Sequence, residues 1–172
     1  MPDDYTFCSA ADNQQLAQHT LRDLSGPAAL QVLAAVPMHD LFYSFGVSHP
    51  GAIVLNNYPR FLQEFLRPDG KLTDLAATDI LRTRELGVPR YSEFRRLLHL
   101  KPPTTFNDIT DDPALAATLA DLYDGDVGTV DTIVGMFAER RPAGFAFSDT
   151  AFRIFIVMAS RRINSEGSLP RT

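Results

Sequence analysis

The sequence has almost nothing from which a covalent or metal framework could be built. Cys8 is its only cysteine, so no internal disulfide and no cysteine-built zinc or iron–sulfur site can form. A reducing, cytoplasmic setting agrees with that usage. The opening residues, Met1-Pro2-Asp3-Asp4-Tyr5, are acidic and carry no apolar run, so they do not read as a secretory signal. No stretch is long enough to span a bilayer. The longest apolar run, Phe152 to Ala159, is interrupted by Arg153 and reads as a buried helix. A basic stripe is also missing. Arginines group at Arg82/Arg84, Arg90/Arg95/Arg96, Arg140/Arg141 and Arg161/Arg162, but carboxylates or apolar residues flank each group and the formal net charge is −5. Nucleic-acid binding needs clustered cations to displace phosphate counterions, and this pattern argues against it.

Common catalytic motifs are absent too. The four histidines, His19, His39, His49 and His99, stand 20, 10 and 50 residues apart and form no HExxH or other pair at metal-ligand spacing. His49-Pro50 in a loop and His99 at a helix end read as structural or surface groups. There is no G-x-S-x-G elbow, no P-loop and no G-x-G-x-x-G, and Cys8 has no histidine beside it in sequence.

What is present is helical spacing. At 172 residues the chain is one domain's worth of material, and 45% hydrophobic with 22% charged residues can build a core. The pattern predicts helices over Asn13–Leu24 and Pro27–Val36, broken at Ser25-Gly26, and over Met38–Phe45. Residues 46–59 are loop-rich, with helix or strand open for Ala52–Leu55. Helical spacing returns at Phe61–Phe65 and stops at the turn Pro68-Asp69-Gly70. The best-defined helix runs from Asp74 as N-cap to Leu86, with Gly87 and Pro89 as its stop. Tyr91–Leu100 follows, ended by Pro102-Pro103. Then come a turn at Thr105–Asp108, a helix Pro113–Tyr123 capped by Asp111 or Asp112, a helix through Met136 and Phe137 with Thr129 as cap, the turn Pro142-Ala143-Gly144, and a last helix from Ser148 to Ile163. The tail 164–172 is polar and expected to fray. The class is all-α.

One constellation stands out. Leu75, Asp79, Arg82 and Leu86 recur at i, i+4, i+7 and i+11, placing an acid and a guanidinium on a stripe otherwise made of leucine. One reading is a solvent-edge salt bridge worth under about 1 kcal/mol. The other is a couple with a partner of its own, because burying it alone is costly. Arg84 and Glu85 point elsewhere and read as solvated face.

The run Asp79 to Arg96, D-I-L-R-T-R-E-L-G-V-P-R-Y-S-E-F-R-R, resembles a signature of the animal haem peroxidase superfamily: an Asn or Asp followed by R-x-R-x-x-G-x-P-x-Y-x-x-[FW]-R. The downstream order is similar as well, through Phe106-Asn107-Asp108-Ile109, Leu122-Tyr123, Val130 to Gly135, Ala138-Glu139 and Phe152 to Arg162. The resemblance covers roughly residues 1–165. It implies the C-terminal part of a mostly helical haem peroxidase fold, with 166–172 as a frayed tail.

The resemblance further implies haem as cofactor, packed between helices, and hydrogen peroxide or a fatty acid as substrate. Asp79 matches the residue that hydrogen-bonds the second ring nitrogen of the proximal histidine. Most mammalian-type members have Asn there; a carboxylate makes the imidazole a stronger donor to iron and is similar to bacterial and fungal members. Arg82 matches the residue that pairs with a haem propionate, and Leu75 would wall the haem pocket. Nothing corresponds to the family's distal histidine and catalytic arginine. The start resembles what directly follows the proximal histidine, which places the iron ligand before Met1, and His19 lacks the motif context to replace it. No catalytic residue and no metal ligand is therefore assigned within the chain. The expectation is a truncated oxidoreductase, inactive alone. The alternative is a non-enzymatic helical module that complements a separately encoded N-terminal haem-binding half.

Overall fold

The computed structural model describes residues 3–49, 51–67 and 69–166. Among them lie eight α-helices, three single 3-10 turns and four short strands. Helix dominates, as the spacing predicts, and none of these helices is long and apolar enough to cross a membrane. Two compact units divide the chain: Met1–Gly51 with Asn57–Ala76, and Ala52–Asn56 with Ala77–Thr172.

The first unit begins with a hairpin. Strand β1 (Asp4–Cys8) pairs antiparallel with β2 (Gln15–Thr20), setting Tyr5 opposite His19 and Phe7 opposite Ala17. The helix expected over Asn13–Leu24 is thus a strand followed by a turn. Asn13 adopts a left-handed φ of 59° and Ser9 N donates to Gln14 O at 2.8 Å, which reverses the chain. Beyond the turn Ala17 and His19 are half-buried while Leu16, Gln18 and Thr20 are exposed, a period of two. Helices α1 (Gly26–Ala34) and α2 (Met38–Val47) follow as expected. Polar bonds tie α2 to the hairpin: Cys8 N donates to Ser44 Oγ at 2.9 Å, Ser44 Oγ donates to Cys8 O at 3.2 Å, and Ala10 N donates to Asp40 Oδ1 at 2.7 Å. Phe7, Val36 and Leu41 make the small core. Helix α3 (Arg60–Gln63) is shorter than predicted, because Phe65–Leu66 (β3) pairs with Leu72–Thr73 (β4). The run Ala52–Leu55 resolves as irregular chain entering the 3-10 turn Leu55–Asn57.

Helix α4 (Leu75–Glu85) crosses the unit boundary after Ala76. It ends as predicted: Gly87 takes φ 69°, Gly87 N donates to Arg84 O at 3.1 Å and Val88 N to Thr83 O at 3.0 Å. Such paired bonds satisfy carbonyls that a helix end would otherwise leave open. In α5 (Tyr91–Leu97) the helix stops earlier than the proline pair, because His99 at φ 59° turns the chain and Leu100 N reaches Arg95 O at 2.9 Å. In α6 (Pro113–Leu122) Asp112, not Asp111, is the cap; its Oδ1 accepts from Ala114 N at 2.9 Å and Leu115 N at 3.2 Å. Helix α7 (Thr132–Ala138) starts later than expected. Thr129 ends a 3-10 turn instead, and Asp131 holds the N-cap position. In α8 (Asp149–Glu166) Ser148 Oγ accepts from Ala151 N at 3.2 Å, and helix continues through Asn164 and Ser165 where fraying was expected. Residues 167–172 lie outside the described residues. The core of this second unit joins Tyr91, Phe106, Ile109, Ala116, Leu119, Val130 and Ala138.

Candidate functional site

Two buried carboxylates organise the second unit, and both bind arginines of the 79–96 run. Asp131, 3% exposed, receives Arg84 in a two-pronged bond, Nε to Oδ1 at 2.9 Å and Nη2 to Oδ2 at 2.6 Å. Arg90 Nη1 donates to the same Oδ1, and Tyr123 Oη donates to Oδ2 at 3.0 Å. Backbone bonds finish the join: Tyr91 N donates to Val130 O at 2.9 Å and Thr132 Oγ1 to Pro89 O at 2.5 Å. The loop between α4 and α5 is therefore stitched along residues 130–132. Arg84, expected on a solvated face, is one of the threads.

Glu139 is the second anchor. Tyr91 Oη donates to Oε2 at 2.9 Å and Arg95 Nη1 donates to Oε1 at 2.7 Å. Arg95 also donates to Thr150 Oγ1 at 2.8 Å and to Lys101 O at 2.9 Å, and its guanidinium lies 5.8 Å from the centre of the Tyr91 ring. Thr150 is fully buried at the start of α8, so Glu139 ties α5, α7 and α8 together. A charge held away from water needs partners of this kind, since desolvation alone costs several kcal/mol.

These contacts set the proton affinities. The Arg84 bond holds the Asp131 carboxyl below the ordinary 3.8, against the opposing effect of burial. Burial first, and the Glu139 charge second, push the Tyr91 phenol well above the ordinary 10.0. As pH falls below 3.8 the unfolded chain takes up the Asp131 proton before the folded one, so stability drops toward acid. As pH rises past 10.0 the unfolded chain loses the Tyr91 proton first, and stability drops toward alkali. Urea midpoints recorded from about pH 3 to about pH 11 should fall at both ends. The acid limb should be shallower in Asp131→Asn and the alkaline limb shallower in Tyr91→Phe. Unchanged limbs would rule out these two groups as the source.

Asp79 and Arg82 lie on α4 in the second unit, both exposed, and Leu75 is the half-buried first residue of the same helix. Among the described residues no ion pair joins Asp79 to Arg82 or to any other group. The structure thereby sorts the arginines of the run. Arg84 and Arg90 serve Asp131, Arg95 serves Glu139, and Arg96 pairs with Glu93 at 2.5 Å. Arg82 is the one left over. Leu86, on its flank, is 80% exposed. A guanidinium with no partner suits an anionic edge such as a carboxylate, which it can grip with two parallel bonds. His19 sits in β2 with its ring 6.3 Å from that of Phe7. No group of three or more His, Cys, Asp or Glu able to hold a metal occurs among the described residues. Asp131 and Glu139 are the residues that spacing alone did not single out.

Residues 1–166 match the family model described as animal haem peroxidase. Alpha-dioxygenase 1 of Arabidopsis thaliana is 41% identical over 155 residues, covering 86% of this chain and 24% of the relative. The crystal structure of a fatty acid alpha-dioxygenase from the same plant superposes with a TM-score of 0.84 at 37% identity, covering 94% of this chain and 27% of that one. Peroxidase A from Dictyostelium discoideum is further off, with a TM-score of 0.75 at 26% identity over 93% of this chain and 30% of that one. The chain thus spans about a quarter of the length of these relatives.

Proposed function

This chain belongs to the animal haem peroxidase family, and on that premise we propose that it is the haem-flanking part of a fatty-acid alpha-dioxygenase-type oxidoreductase. The dioxygenase type is favoured over the peroxidase by the higher identity and closer superposition of the former. The observation that carries the site is the unpartnered Arg82 beside an equally unpartnered Asp79, in a run whose other arginines are all engaged.

Haem, when bound, supplies the oxidising chemistry. Arg82 would take a propionate on its planar fork and so hold the macrocycle's edge. Asp79 would accept the outer ring proton of an axial histidine, fixing its tautomer and strengthening the imidazole as a donor. Leu75, on the same helix, would add apolar wall. The axial histidine and the distal groups would come from a region like the other three quarters of these relatives, in one polypeptide or as a separate chain. That remainder would also cover α8, whose Phe155, Met158 and Ile163 are 63%, 54% and 70% exposed. An apolar patch of this kind calls for a partner. Without it, this chain would bind haem weakly and show no specific turnover.

The test takes the haem-loaded assembly of this chain with that remainder. Arg82→Ala should weaken haem binding about tenfold or more, the range seen when a group next to a ligand is removed, and Asp79→Asn should shift the iron reduction potential upward. A long-chain fatty acid should drive oxygen uptake, measured with an oxygen electrode. Peroxide-dependent oxidation of a phenol without fatty-acid-dependent oxygen uptake would overturn the dioxygenase reading. Haem titration curves identical in wild type and Arg82→Ala would overturn the site.

A further inference from the structure

We propose that Asp131 is a positioning residue: by gripping α4 from behind, it sets the direction in which Asp79 and Arg82 face. The inference rests on the haem-facing reading of that couple.

No residue of α4 is fully buried, and its apolar hold comes only from the half-buried Leu75, Ala76 and Ile80, so a polar grip elsewhere on the helix adds to what fixes it about its own axis. Arg84 lies about half a turn round the helix from the stripe carrying Asp79, Arg82 and Leu86. Its bond to Asp131 is two-pronged, with Nε at 2.9 Å and Nη2 at 2.6 Å. Two parallel bonds between planar groups restrain rotation in a way that one bond does not.

The neighbouring contacts fix the same end. Val88 N closes on Thr83 O, Thr132 Oγ1 holds the Pro89 carbonyl, Arg90 shares the Asp131 carboxylate, and Tyr91 N binds Val130 O. The segment 83–91 is thereby referenced to residues 130–132, and the Asp131 carboxylate is the member of that segment that reaches the helix itself through Arg84. Its own placement is firm, because Tyr123 Oη holds the second oxygen at 3.0 Å from another helix end. Loss of the carboxylate frees α4 to roll and to fray from its C-terminal end. Asp79, a turn and a half upstream, then moves off the direction its acceptor role requires, and a site displaced by about an ångström loses most of its function.

The experiment compares Asp131→Asn, Asp131→Glu, Asp79→Asn and Asp112→Ala in the haem-loaded assembly of this chain with the region that supplies the axial histidine, the last removing only the α6 cap. Three quantities are read: iron reduction potential, haem affinity, and amide exchange along α4. Asp131→Asn should move the potential in the same direction as Asp79→Asn, lower haem affinity about tenfold, and speed α4 exchange. Asp131→Glu should return part of the potential shift, since it keeps the charge. Asp112→Ala should lower the melting temperature and leave the potential where it is. A potential moved by Asp79→Asn but not by Asp131→Asn overturns the inference and leaves the haem reading standing. A potential moved by neither overturns both, and one moved equally by Asp112→Ala reduces Asp131 to general stability. Should Asp131→Asn fail to fold, Arg84→Lys keeps the charge, loses the second prong and carries the same expectations.

Discussion

Replacing Glu139 with alanine is expected to lower the unfolding free energy by about 3–5 kcal/mol, the range for breaking a buried ion pair from one side. The side chain is 8% exposed and its Arg95 partner 15% exposed, so the orphaned guanidinium cannot simply return to water. Arg95 would keep only neutral acceptors, Thr150 Oγ1 and the Lys101 carbonyl. The Tyr91 hydroxyl would lose its acceptor as well, within a ring that is almost wholly buried. Each orphaned donor adds about 1–3 kcal/mol of desolvation that nothing offsets. Urea denaturation of the chain measures this directly, with an unchanged slope confirming that the loss is in stability. Glu139→Gln, which keeps acceptor oxygen but not charge, should lose less. The pair Glu139→Ala with Arg95→Met should recover part of the loss, because an apolar replacement leaves no charge stranded. A single-variant loss below about 1 kcal/mol would mean that water reaches the pair.

Gly135→Ala should be similarly damaging for a steric reason. A Cβ at this position would lie 2.5 and 2.6 Å from the two Cδ atoms of Tyr91, and closer still to its Cγ. The ring cannot swing aside: it is 1% exposed, its hydroxyl is bound to Glu139 and its backbone N to Val130 O. Helix α7 must then move away from α5, and the cost of such overpacking is about 3 kcal/mol. Gly46→Ala in α2 is the control, since nothing lies within 4 Å of its added Cβ. There alanine should be neutral or gain up to about 1 kcal/mol through helix propensity. Thermal melts of both variants check the contrast, and a Gly135→Ala melt matching wild type would show that the two helices are not in contact in solution.

Local chemistry made much of the helical frame readable. The Gly87 stop, the Asp112 cap and the Ser148 start each depend on residues within a turn of the helix end, and each is found near where spacing put it. The strand at Gln15–Thr20 was not readable that way, because its partner is Asp4–Cys8 and a helical window over 13–24 contains no information about pairing. Arg84 was misplaced for a related reason. A wheel drawn on α4 assigns the leucine stripe to the interior and Arg84 to water, whereas Leu86 is exposed and Arg84 holds a buried acid. The signal for Asp131 and Glu139 was present but long-range. Asp131 interrupts the run Val130 to Val134 and Glu139 closes Met136 to Ala138, while residues 82–96 hold five arginines. Acids so placed need cations, and the surplus stood some 40 residues upstream. The Asp79–Arg82 couple was visible as a spacing, but its proposed role comes from family membership.

The distance along the chain between these partners has a consequence for the order of folding. Arg84 and Asp131 are 47 residues apart, Tyr91 and Glu139 48, and Arg95 and Thr150 55. During synthesis the arginine-rich stretch leaves the ribosome well before the acids that will neutralise it. Closing loops of that length is an entropic cost met only when both ends exist. For that interval Arg84, Arg90 and Arg95 stand in water without their acids, while Arg96 already has Glu93 beside it, and the helices they join stay undocked until residue 139 emerges.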